Sequence, residues 1–185
     1  MKYKLILLGL TFILITCASL FGSVNSEPTY VERGEEFFDP GPGQIQKERL
    51  TADDALSRVI LDIEVKKANL HDEWGSAVQV ILGDKSNESR IIFRIIHSGK
   101  RKGKTAVRVN IDGESEKAHY LDEIGERDYV GKHRLILTID ENSVMHFEAN
   151  GVLIEKHEKK FEIENAIVSA VGTNANVLWI FEYND

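Results

Sequence analysis

The chain has 185 residues, a formal net charge of −7 and one cysteine, Cys17. A net acidic surface argues against nucleic acid, whose binding needs a concentrated basic field. A lone cysteine excludes disulfide staples and thiolate zinc sites.

The chain opens on a basic start, Lys2 and Lys4, followed by an apolar run over 5–21. Basic start, apolar core and small residues after it describe an export signal, so 1–26 is read as a signal peptide. Three outcomes are open. The signal is cut after Ser19, Ser23 or Ser26; Cys17 is lipidated; or the run is retained as a short anchor. Leu14-Ile15-Thr16-Cys17 is similar to a bacterial lipobox, although Thr16 stands where Gly, Ala or Ser is usual. The expected location is secreted or anchored to the cell envelope, in a bacterium. Membrane contact is expected only through this segment or its lipid.

Residues 27–50 read as a tether. All three prolines, Pro28, Pro40 and Pro42, lie in it beside Gly34, Gly41 and Gly43. Proline lacks the N–H an inner strand needs. Thr51 is placed to cap one helical turn reaching Leu56.

From 51 to 185 the pattern predicts one sandwich domain. Strands are expected near 57–66, 76–82, 89–97, 104–111, 132–140, 143–149, 152–157, 161–169 and 176–183. Val59, Leu61, Ile63 and Val65 alternate along the first; Val107, Val109 and Ile111 alternate along the fourth. Period two marks strands, and no stretch keeps a helical period for three turns. Asn150-Gly151 is the preferred pair for a tight hairpin, since both positions need positive φ. The 115–131 stretch lacks a clean period and reads as a long loop with a broken strand. The fold class is therefore all-β, an antiparallel β-sandwich.

Lys132-His-Arg-Leu-Ile-Leu-Thr-Ile-Asp140, the turn after it, Val144 to Gly151 and the strand from Val152 to Glu155 resemble the concanavalin A-like lectin/glucanase superfamily, laminin-G-like modules included. The run from Trp74 to Gly83 is similar to an earlier strand of that superfamily. The resemblance implies a jelly roll of two curved antiparallel sheets, and members often bind glycans or proteins or hydrolyse polysaccharides. Its hydrolases carry carboxylates at alternate positions of one strand. Here Ile60-Leu61-Asp62-Ile63-Glu64 keeps two acids and places Ile60 at the nucleophile's position, which leans away from an enzyme.

Alternation places Asp62 and Glu64 outward, with Gln79, Arg94, Arg108 and Asn110 on outward faces of the following strands. Because those strands are consecutive, one shared polar face is expected. Acids, amides and arginines together suit sugar hydroxyls. Trp74 is the expected stacking ring, with Tyr120 and Tyr129 nearby in the long loop; Trp179 reads as core. The bland alternative is cross-strand ion pairing on a solvated sheet. No zinc spacing is present among the histidines, although His133 and His146 are placed to face each other across a hairpin. Glu162 and Glu164 read as an acid pair on an exposed strand face. No cofactor is expected, and a loose calcium site at Asp140 and Asn142 is the one exception considered. The function read is non-catalytic recognition of carbohydrate at the cell surface. The alternatives are a hydrolase with a rebuilt site and a structural or adhesion module that binds a cell-surface protein.

Overall fold

The computed structural model describes residues 30–70, 75–98, 104–113, 117–121 and 128–184. Cys17 and the expected leader lie outside them, as does Trp74. Among the described residues there are twelve strands and no helix: β1 (Tyr30–Phe38), β2 (Ile45–Thr51), β3 (Leu56–Ala68), β4 (Ser76–Gly83), β5 (Arg90–Ser98), β6 (Lys104–Ile111), β7 (Ala118–Tyr120), β8 (Gly131–Ile139), β9 (Val144–Ala149), β10 (Val152–Glu158), β11 (Asn165–Val171) and β12 (Thr173–Tyr183).

They form two six-stranded antiparallel sheets. Sheet I has the order β1-β12-β3-β8-β9-β10, and sheet II has the order β2-β11-β4-β5-β6-β7. The two inner faces supply one core. Val59, Leu61, Ile63 and Val65 enter it from β3; Val78, Val80 and Leu82 enter from β4; Ile91, Phe93 and Ile95 enter from β5. Phe93 of sheet II meets Phe147 of sheet I edge to face, with ring centroids 5.2 Å apart. Each such side chain contributes about 1.5–3 kcal/mol by leaving water. Among the described residues no helix covers either sheet; this shared layer is the core, and Trp179 belongs to it at 6 % exposure.

Several expectations need correction. Residues 27–50 are not a tether throughout, because β1 pairs with β12 and β2 pairs with β11. Both are edge strands, so each needs only one ladder, and their charged residues stay wet. Pro40 and Pro42 sit in the connection between them, where no ladder N–H is required. Residues 51–56 make no helical turn. Asp53 closes a tight turn instead, its carbonyl accepting from Leu56 N at 3.1 Å and its Oδ1 from Ala55 N at 3.0 Å. The strand expected from 161 begins at Asn165. Before it, Ile163 is fully buried and its N–H is held by Asp54 Oδ1 at 3.1 Å. Glu162 and Glu164 therefore lie in the connection before β11 rather than on a strand face.

Other features match the sequence reading. Asn150 and Gly151 have φ of 50° and 80°, as a tight hairpin with both central residues left-handed requires. Among the described residues of the 115–131 stretch, the short β7 is the one strand before β8 begins at Gly131. After it, Tyr129 is buried between the sheets. Its ring stacks on His97 of β5 at 5.3 Å, and its hydroxyl bonds Thr173 Oγ1 of β12 at 2.6 Å. Burial pushes that phenol well above its ordinary range. It also depresses His97, whose charged form is costly there. At the edge formed by β7 and β10, Glu155 of β10 accepts from Nε2 of His119 (2.6 Å) and of His157 (2.7 Å). His119 belongs to β7, so this pair links the edges of the two sheets.

Candidate ligand-binding face

The pleat places Asp62 and Glu64 outward on β3, as expected, but on sheet I. Gln79, Arg94, Arg108 and Asn110 belong to β4, β5 and β6 of sheet II. The chain crosses between sheets after β3, so the two groups lie on opposite outer surfaces. The expectation of one face shared by all six residues is therefore corrected.

On sheet I the acids are engaged. Arg134 of β8 stands directly across from Asp62 and grips it with two bonds, Nε to Oδ1 at 2.5 Å and Nη2 to Oδ2 at 2.7 Å. That hydrogen bond, with the carboxylate's charge, raises the guanidinium pKa. Glu64 pairs with Lys66 at 2.6 Å, and the hydrogen bond from Lys66 holds its pKa below the ordinary value. Arg58 pairs with Glu182 at 3.7 Å. Ile60 faces outward between Ile136 and Ile180. This surface is a solvated sheet laced with cross-strand pairs.

Sheet II is arranged differently. Its registers align one outward residue from each of six strands in a row: Lys47, Ser169, Gln79, Arg94, Arg108 and Ala118. Gln79 Nε2 donates to Ser169 Oγ at 3.1 Å, and both residues are buried. Arg94 and Arg108 are half-buried. Apolar rows flank this one. On one side Ile167, Ile81 and Ile92 align, ending on Asn110; on the other Val171, Ala77, Ile96 and Ala106 align, ending on Tyr120. Lys104 lies 4.7 Å over the Tyr120 ring. Asn110 also serves the turn after β6, its Oδ1 accepting from Gly113 N at 3.2 Å.

At the β2 end of this face a cleft of about 480 Å³ opens, lined by Arg49, Lys85, Asn87, Glu164, Asn165 and Ile167 among others. Glu164 is engaged there, its Oε2 accepting from Lys85 N at 2.9 Å. The sequence reading missed Lys47, Arg49, Lys85 and Ser169. Lys47 and Arg49 lay in the supposed tether. Their alternation with Gln46, Glu48 and Leu50 was the available signal, but a charged edge strand resembles a linker.

Tyr129 is not a platform, being only 3 % exposed. His133 and His146 do not face each other: His133 points into the core, donating from Nε2 to Tyr129 O at 2.8 Å, while His146 points outward. Asp140 caps the β8–β9 turn. Its Oδ1 accepts from Asn142 N and Val144 N, and its Oδ2 bonds His146 Nε2 at 3.0 Å. The Val144 amide above all, then His146, holds its pKa below the ordinary value. Among the described residues no group of three or more His, Cys, Asp or Glu is placed to hold a metal ion.

No protein-family model matches the chain, and no curated protein matches it. Solved structures do. The CBM2 module of the Lactobacillus casei BL23 phage J-1 evolved Dit superposes with a TM-score of 0.56 at 9% identity, over 87% of this chain and 93% of that one. A tetrameric galectin from the sponge Cinachyrella sp. gives 0.51 at 13% identity, over 75% and 99%. A β-glucanase of Bacillus licheniformis gives 0.50 at 11% identity, over 83% and 78%. The fold is the jelly-roll β-sandwich that these structures share. At these identities the likeness fixes the architecture of the jelly roll and assigns no residue a role.

Proposed function

We propose that this jelly roll is a non-catalytic module that binds carbohydrate through the outer face of sheet II. One observation carries the reading: the cross-strand Arg94–Arg108 pair, continued in its row by the buried Gln79–Ser169 pair, between two rows of aliphatic side chains. Amide and guanidinium groups are planar, multiply donating partners for neighbouring sugar hydroxyls. The aliphatic rows and Tyr120 offer apolar surface to the C–H faces of sugar rings. Fold neighbours that include a galectin and a β-glucanase support carbohydrate as the kind of partner. Within the described strands the outward positions of sheet II hold no carboxylate, whereas glycoside hydrolysis in its usual form needs two flanking the bond. The module is proposed to act outside the cytoplasm, secreted or held at the envelope, on the strength of Lys2, Lys4 and the 5–21 run.

A glycan array probed with the full chain and with Arg94→Ala and Arg108→Ala tests this. The expected result is retention of at least one glycan class, lost about tenfold or more in either variant, with no release of reducing ends. Binding that ignores both variants, or the absence of any glycan ligand, would overturn it. Mass spectrometry of the mature N-terminus tests export: a chain beginning after 19, 23 or 26, or at a lipidated Cys17, is expected.

A further inference from the structure

We infer that the ligand of this face is an anionic polysaccharide, a chain carrying carboxylate or sulfate groups along its length; the inference rests on the carbohydrate reading above. The outward positions of sheet II within its strands hold six cations, Lys47, Arg49, Arg90, Arg94, Lys104 and Arg108, and no acid. This occurs in a chain with 30 acidic and 23 basic side chains. The outer face of sheet I mixes both signs and pairs them, as Asp62 with Arg134 and Arg58 with Glu182 show. A face of one sign repels itself. Solubility does not require that arrangement, since a net charge of −7 already provides it.

The cations are also spaced for a polymer. From Lys47 on β2 to Arg108 on β6 is four strand steps, about 19 Å at 4.8 Å each. That is the reach of a short oligosaccharide rather than one ring. Arg94 and Arg108 stand directly across from one another at mid-face. At the β2 end Arg49 and Lys85 flank the cleft, where Asn87 and Asn165 supply amides for hydroxyls. Among the described residues neither cation makes an ion pair. A lipid surface fits less well. Of the large apolar side chains that stand exposed among the described residues, Ile45 alone lies on this face, so little of it is available to insert between acyl chains.

Binding of the full chain to polygalacturonate, dextran sulfate and neutral dextran tests the inference, with phosphatidylglycerol vesicles as a fourth arm. At least one anionic polymer is expected to bind about tenfold or more tighter than dextran, and to weaken about tenfold as NaCl rises from about 0.05 to about 0.5 M. Which polymer wins separates carboxylate from sulfate. Joint replacement Arg49→Gln with Lys85→Gln, both exposed, is expected to weaken that binding about fivefold or more. Lys67→Gln with Lys132→Gln on sheet I leaves it unchanged. Salt-insensitive binding to neutral glycans, dependent on Arg94 and Arg108, would overturn the anionic ligand and leave the carbohydrate reading standing. Binding to no carbohydrate would remove both. Vesicle binding as strong as polymer binding would replace the polysaccharide with a lipid surface.

Discussion

Arg94 on β5 and Arg108 on β6 are cross-strand partners, two guanidinium groups facing outward at adjacent positions of sheet II. Opposite charges are the ordinary choice at such a site, as sheet I shows with Asp62 and Arg134. The two pairs set sheet I, whose outer face mixes both signs, apart from sheet II, whose strands carry cations at their outward positions.

The Asp62–Arg134 pair supports the first half of that contrast. Both side chains are substantially exposed, at 34% and 57%, so solvent screens the pair despite its bidentate geometry. Asp62→Asn is expected to lower stability by about 1 kcal/mol or less. It should leave glycan binding untouched. Denaturant titration and the array measurement check the two halves. Loss of binding in this variant would return the ligand to sheet I.

Gly34 is required where β1 crosses the core. A β-carbon built there would lie 2.2 Å from Cζ2 of Trp179, its cross-strand partner, whose ring is buried. Either the indole or the edge strand must move. Gly34→Ala is expected to cost about 1–3 kcal/mol, the usual penalty for overpacking. A lowered urea midpoint and altered tryptophan emission would show it. An unchanged midpoint would mean that β1 is not seated on the core.

Asp140 sets an acid limb for stability. Its pKa in the fold lies below the ordinary value of 3.8, because the Val144 amide and His146 bond its charged form. A depressed carboxyl stabilises the fold above its unfolded value and loses that contribution as pH falls through the folded one. In Asp140→Asn the stability gap from wild type should therefore be widest at neutral pH. It should close as pH drops below 3.8. Thermal unfolding across pH 2–7, an interval of about five pH units, measures the gap. A gap independent of pH would show that the turn does not depend on the charge.

Much of the fold was legible because pleat alternation is a local property. Val59 to Val65 announced their inward face, and Asn150-Gly151 announced its hairpin. Alternation tells which way a side chain points but not which sheet holds the strand. Hence Asp62 and Gln79 were assigned one surface, although the crossing after β3 sends them to opposite ones. Edge strands were the second blind spot. β1 and β2 gain one ladder each, so their sequences carry exposed charges and lie beside prolines, which is also how a linker looks. Gln79, Arg94 and Arg108 were found because they lie on inner strands with buried neighbours. Lys47 and Arg49 were not, because only the register of β2 on β11 brings them to the same face.

Mapping a bound oligosaccharide by amide chemical shifts tests the central claim most directly. Perturbations are expected to cluster on β4, β5, β6 and β11, centred on Gln79, Arg94 and Arg108. Perturbations centred instead on Asp62, Glu64 and Arg134 would place the ligand on sheet I and contradict the account.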